Sequence, residues 1–216
     1  IRNRLYYLDL RHALRPRVVG TVVPLLDDFD ASYGFVGNIG PLFYVVTNLD
    51  APRYRLIAID TRRPARANWR EVIPQAAGVL QGVDLVGGRF VANYLEDAHS
   101  RVTVFETSGR RVADVPLPTL GTAGGISGRP CSPEMFYSFT SFLYPTTVFR
   151  YDVATGANTV LRSPQIDFDP TRYETEQVFY RSKDGTRIPM FLTHRRGLAR
   201  DANNPTYLTA YGGFKI

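Results

Sequence analysis

Apolar residues recur along this chain in short bursts that each end in an acid. Leu5-Tyr6-Tyr7-Leu8-Asp9, Leu56-Ile57-Ala58-Ile59-Asp60, Val102-Thr103-Val104-Phe105-Glu106 and Val148-Phe149-Arg150-Tyr151-Asp152 share that form, and their acids fall 51, 46 and 46 residues apart. A second series, Phe43-Tyr44-Val45-Val46, Phe90-Val91-Ala92-Asn93 and Phe136-Tyr137-Ser138-Phe139, precedes the last three bursts, with its leading phenylalanines 47 and 46 apart. The bursts are aromatic and β-branched, as a pleated, half-buried surface favours. Each unit is therefore predicted to hold two adjacent antiparallel strands joined by polar loops, at 47–53, 95–100 and 140–146. A period near 46 with several strands per unit is that of a β-propeller blade. A β-sandwich with evenly spaced strands is the competing arrangement, and the long period argues against it.

About three and a half such units fit between Ile1 and Ile166. A propeller needs at least four blades, so the array is expected to be truncated on its N-terminal side. The opening at Ile1 rather than Met agrees with a start further upstream. After Pro170 the pattern changes. Val178 to Ser182 and Arg187 to His194 read as two strands about a turn, Lys183-Asp184-Gly185-Thr186, with the Asp-Gly hairpin signal. Arg195 to Asn204 is polar and irregular, and Pro205 to Tyr211 reads as a third strand. Helix is almost unwritten, apart from a short turn near Ala65 to Glu71.

Composition narrows the class. With 216 residues, 44% of them apolar and 12% aromatic, the chain can bury a core, which excludes disorder. No apolar run reaches the length of a membrane-spanning helix, so no membrane association is expected. Cys131 is the one cysteine, which excludes an internal disulfide and a cysteine-based zinc site. The formal charge of +6 comes from 26 basic residues, of which only Lys183 and Lys215 are lysine. The arginines are dispersed, with their densest cluster at Arg62, Arg63, Arg66 and Arg70, and read as solvated surface rather than a nucleic-acid stripe.

Candidate chemistry is sparse. No G-x-S-x-G nucleophile elbow is present; Gly125-Ile126-Ser127-Gly128-Arg129 lacks the last glycine. His12, His99 and His194 share no ligand spacing, although His99 lies beside Glu96 and Asp97. Asp27, Asp28 and Asp30 lack the glycine and distal glutamate of a calcium loop. No metal or other cofactor is expected. The repeated acids Asp9, Asp60, Glu106 and Asp152 are expected to be strand-end caps. The sharpest local feature is Tyr211-Gly212-Gly213-Phe214, where a strand runs into two glycines that let a ligand approach the backbone. A plain tight turn explains the same string.

The chain nevertheless resembles the prolyl oligopeptidase family of serine peptidases over essentially its whole length. Asn3 to Leu10 and Tyr54 to Asp60 resemble its middle blades, and Phe136 to Leu143 followed by Pro145 its last blade. Tyr180 to Phe191, with Ser182-Lys183-Asp184-Gly185-Thr186, resembles the entry to its hydrolase domain, and Tyr211-Gly212-Gly213-Phe214 completes the match. The resemblance implies a mostly β chain: about three and a half blades of a seven-bladed propeller over residues 1–168, then the first strands of an α/β-hydrolase domain over residues 169–216. It implies a monomeric, cytoplasmic or periplasmic enzyme, cytoplasmic preferred, that cuts short peptides after proline. The Ser, Asp and His of the triad would lie outside this chain, leaving it inactive alone. Tyr211 matches the tyrosine whose hydroxyl helps bind the oxyanion, and Phe214 the aromatic that lines the proline pocket. One departure is Thr209-Ala210, where the family commonly has Tyr-Gly. A non-catalytic propeller binding module and an oligopeptidase B or acylaminoacyl-peptidase branch are the alternative readings.

Overall fold

The computed structural model describes residues 2–10 and 14–210. Its strands are β1 (Leu5–Tyr7), β2 (Val23–Leu26), β3 (Tyr33–Ile39), β4 (Leu42–Thr47), β5 (Arg55–Asp60), β6 (Arg70–Ile73), β7 (Val79–Val86), β8 (Arg89–Glu96), β9 (His99–Glu106), β10 (Arg111–Asp114), β11 (Thr122–Gly128), β12 (Glu134–Ser141), β13 (Tyr144–Asp152), β14 (Asn158–Arg162), β15 (Tyr173–Arg181) and β16 (Arg187–Arg195). Strands β3 to β6, β7 to β10 and β11 to β14 form three four-stranded antiparallel meanders, while β1–β2 and β15–β16 are two-stranded. Single 3₁₀ turns at Arg66–Asn68 and Pro170–Arg172 are the helical structure among the described residues.

The twin series maps onto the middle two strands of each meander. Phe43 pairs with Ile59, Phe90 with Phe105 and Phe136 with Arg150. The middle strands of the first two meanders are apolar almost throughout because those meanders are packed on both faces, whereas β12 and β13 bury alternate residues on one face only. Tyr44, Leu56 and Ala58 join Leu80, Phe90 and Ala92 in one core. Their neighbours Val45, Ile57 and Ile59 point the other way, to Leu26, Ala31 and Tyr33. Val91, Val102 and Val104 meet Met135, Tyr137 and Phe139 in a third core. Leu56, Ile59, Phe90 and Phe139 have no exposed surface, and each such side chain contributes roughly 1.5–3 kcal/mol by leaving water.

Neighbouring meanders approach through their first strands, β3 to β7 and β7 to β11. These strands are glycine-rich, and each is bulged, between Phe35 and Gly37, Leu80 and Gly82, and Gly124 and Ser127. Polar groups also cross the seam. Asn93 donates to the Ala123 carbonyl at 3.1 Å, and Ser100 Oγ accepts from the Ala123 amide at 3.0 Å.

Three expectations need correction. The loops read at 95–100 and 140–146 shrink to Asp97–Ala98 and Phe142–Leu143, because the ladders run on to Glu96↔His99 and Ser141↔Tyr144. Asp97 and Ala98 both have positive φ, 44° and 64°, which matches the twist of a two-residue hairpin turn. Strand β15 starts at Tyr173 rather than Val178, and Glu174 and Glu176 pair with His194 and Leu192 on β16. Residues 205–210 form no strand. No described strand pairs with them, and Tyr207 and Leu208 stand 91% and 79% exposed, so the apolar pattern has no neighbour to bond.

Candidate functional site

Each meander has two distinct ends. At one end the repeated acids close the turn between the third and fourth strands. Asp152 accepts from the Ala154 and Thr155 amides, both at 2.8 Å. Asp60 accepts from the Arg62 amide at 3.0 Å and pairs with its guanidinium at 2.7 Å. Glu106 binds Ser108 and Arg110. These bonds to the charged form hold all three carboxyls below their usual range, Asp60 down to about 2. Asp60, Glu106 and Asp152 are therefore structural caps.

The opposite end carries the turns 48–54, 97–98 and 142–143, and the β15–β16 hairpin rests there. Gln177 Nε2 donates to the Asp97 carbonyl. Arg187 Nη1 reaches the Asp97 carboxylate at 3.3 Å. The Phe142 and Phe191 rings lie 5.8 Å apart. An open cleft of about 750 Å³ lies between β3 and β7, lined by Phe35, Val36, Tyr54, Gln81 and Leu95 among others.

The hairpin turn is built as its sequence foretells. Gly185 has φ 83°, and Asp184 accepts from Ser182 and from the Thr186 amide, which pushes its carboxyl down to about 2. Beyond β16 the chain is tied back to the hairpin. Arg196 donates to the Thr171 carbonyl at 2.9 Å and pairs with Glu174 at 3.3 Å. Arg200 pairs with Glu176 and donates to His194 Nε2 at 2.8 Å. His194 Nδ1 lies 2.9 Å from the Arg195 carbonyl, and its two ring nitrogens lie 3.6 Å from the Glu174 and Glu176 carboxylates.

The other candidates dissolve into structure. Glu96 takes Arg101 in a fork at 2.7 and 2.9 Å, and that guanidinium lies 4.8 Å from the Tyr94 ring centroid. The fork holds Glu96 below the usual carboxylate range. His99 keeps a buried Nδ1 without a hydrogen-bond partner, while its former companions Glu96 and Asp97 are occupied by arginines. The acidic cluster is likewise taken: Asp27 pairs with Arg4 at 3.2 Å, and Asp28 and Asp30 share Arg66. A hydrogen bond from Tyr33 at 2.6 Å is the largest influence holding Asp30 down. Tyr211 and Phe214 lie outside the described residues. Sequence reading passed over Gln177, Arg187 and Phe191, since nothing in a strand's own pattern says that its polar edge meets a distant turn.

A model of the prolyl oligopeptidase N-terminal β-propeller domain matches residues 1–164. The chain belongs to this family. The prolyl endopeptidase of Elizabethkingia meningoseptica is 36% identical over 214 residues, which is 99% of this chain and 29% of that protein. The prolyl endopeptidase of Dictyostelium discoideum is 30% identical over 231 residues, which is 100% of this chain and 30% of that protein. The chain thus spans under a third of the length of these relatives. Among solved structures, one from a mechanistic study of two prolyl endopeptidases aligns with a TM-score of 0.79 at 35% identity, over 93% of this chain and 28% of that one. The apo prolyl oligopeptidase B of Galerina marginata aligns at 0.81 and 28% identity, over 92% and 28%. No helix among the described residues is long and apolar enough to cross a membrane.

Proposed function

We propose that the chain is part of a serine endopeptidase that cleaves short peptides on the carboxyl side of proline. The carrying observation is that similarity to prolyl endopeptidases runs over 99% of the chain, through the hairpin that follows the propeller model. In this reading residues 1–168 contribute about three and a half blades of a seven-bladed array. Residues 169–216 begin the α/β-hydrolase domain, and β15–β16 is its first hairpin. The triad belongs to the remainder of the protein, so this portion alone is inactive.

The serine would attack the carbonyl carbon of the prolyl residue, and the amine would leave with a proton from the histidine. Water would then hydrolyse the acyl-enzyme. Tyr211 would donate its phenolic hydrogen to the oxyanion formed in each step. Phe214 would wall the proline pocket, where an aromatic face suits a flat apolar ring. We place the enzyme in the cytoplasm as a monomer; the exposed, unpaired Cys131 is compatible with a reducing compartment.

A serine-directed fluorophosphonate probe tests the reading. The full-length protein should label at one serine, and a proline-containing peptide should slow labelling. Absence of labelling would leave a non-catalytic propeller module as the better account.

A further inference from the structure

We propose that Asp84 and Asn93 hold a monovalent metal cation in the seam between the second and third meanders. Strand register puts the two side chains together. Asn93 pairs with Gly82 and Asp84 pairs with Val91, so Asp84 and Asn93 are diagonal neighbours on one face of the second meander. Two contacts fix where β11 runs over that face. Asn93 Nδ2 donates to the Ala123 carbonyl at 3.1 Å, and a Cβ built on Gly128 would fall 2.6 Å from a Val86 methyl. Asp84 lies midway between Gly82 and Val86, so it faces the bulged segment Gly124–Ser127. The niche between them is open. A Cβ on Gly82 would meet nothing within 4 Å, and Cβ atoms on Gly124 and Gly125 would meet only Ser138 Oγ, at 3.9 and 3.7 Å. Both walls belong to complete four-stranded meanders, so the rest of a longer protein can cover the mouth without altering the walls.

The side-chain groups left unpaired in the niche are acceptors. Asn93 Oδ1 is buried without a hydrogen-bond partner. Turning the amide over does not help, because Oδ1 would then face the Ala123 carbonyl. The Asp84 carboxylate has no hydrogen-bond or ion-pair partner among the described residues, and burial alone acts on it, raising its pKa. Arg89, the arginine on the same face of β8, donates to the Val153 carbonyl instead. An unpaired, part-buried charge is destabilising, and so is an orphaned amide oxygen. One cation answers both. Diagonal neighbours stand about 7–8 Å apart, which leaves room between two short side chains for one bridging atom. An ion with oxygen ligands at about 2.3–2.6 Å spans about 5 Å between two of them. Asp84 supplies a single negative charge. Among the described residues no three acidic, histidine or cysteine side chains converge as a divalent ion would need. Sodium and potassium are therefore the ions that fit, and waters at the mouth, beside the exposed Gly125, complete the shell.

Amide hydrogen exchange in the full-length protein, read over residues 79–96 and 122–128, tests the site. Sodium, potassium and tetramethylammonium chloride are compared at equal ionic strength, because the organic cation is too large for the niche. Wild-type exchange should slow with sodium or potassium, by about tenfold at about ten times the dissociation constant. It should not respond to tetramethylammonium. Asp84→Asn should remove the response. Asn93→Asp, which adds a second carboxylate, should create a response to calcium that wild type lacks. Equal exchange in the three salts would overturn the proposal and leave a proton or a water as the filling of the niche. A response that survives Asp84→Asn would overturn it too, because the ion would then lie elsewhere. Absence of a calcium response in Asn93→Asp would also reject it, and that variant decides alone should Asp84→Asn fail to fold.

Discussion

The carbonyl oxygen of Val72 occupies the space that a side chain on Gly109 would need. A Cβ built on Gly109 would fall 2.0 Å from that oxygen, and Gly109 has φ 93°. The turn between β9 and β10 thus packs backbone to backbone on the outer strand β6 of the neighbouring meander. Gly109→Ala should destabilise the protein by about 2 kcal/mol or more, through the clash and the left-handed backbone together. Gly185→Ala, with φ 83° but open space around it, should cost only about 1 kcal/mol. Urea titrations of the two variants in the full-length protein check the difference. Equal losses would mean that the Val72 contact is not tight.

The cap carboxylates predict an acid-sensitive fold. Bonds to Arg62 hold Asp60 down to about 2, and Ser182 and Thr186 do the same for Asp184. A carboxyl whose folded pKa is depressed stabilises the fold above its unfolded pKa, near 3.9. That stabilisation is lost as pH falls through the folded value. Wild type should therefore lose stability between about pH 4 and pH 2. Asp60→Asn should be less stable than wild type at neutral pH, with the gap narrowing toward pH 2. A gap independent of pH, in melting temperatures read by fluorescence, would remove the cap role.

The strand pairs were legible in the sequence because two independent series marked them. Phe43, Phe90 and Phe136 open one member of each pair, and Asp60, Glu106 and Asp152 close the other. The first strands of the meanders were not legible. Gly34 and Gly37 in β3, Gly82 in β7 and Gly124 in β11 interrupt any alternation, and the bulges shift its phase. The tight turn at Asp97–Ala98 escaped notice because its residues are not the Asn-Gly pair that usually announces positive φ. Tyr211 and Phe214 gained roles only through resemblance, since a strand ending in two glycines is chemically mute by itself. The Asp97–Arg187 contact joins residues 90 positions apart, and no local pattern encodes it.

Produced alone, residues 1–216 should associate. Val160 and Leu161 on β14 are 55% and 56% exposed, and Val18 and Leu14 are 83% and 88% exposed. Open strand edges and apolar surface of this kind favour intermolecular pairing. Sedimentation velocity over a range of concentrations should show growing oligomers. A monomer that melts sharply would contradict the expectation.

Tyr211→Phe in the full-length protein should lower kcat about 100- to 1,000-fold with little change in KM, because the oxyanion exists only along the reaction path. Phe214→Ala should instead weaken binding of a proline-containing product inhibitor by removing pocket wall. A Tyr211→Phe kcat within about twofold of wild type, well under the tenfold that 1.36 kcal/mol represents, would leave the Tyr211-Gly212-Gly213-Phe214 string as a tight turn.

Proline specificity is the central claim, and steady-state kinetics of the full-length protein on three matched substrates tests it most directly. The substrates share one leaving group and present proline, arginine or acetyl-alanine at the cleaved bond. The account predicts a kcat/KM for the proline substrate at least about tenfold above the other two, since apolar pocket contacts discriminate by about 1–3 kcal/mol, roughly 10–200-fold. A preference for arginine or acetyl-alanine, or equal rates on all three, would contradict it.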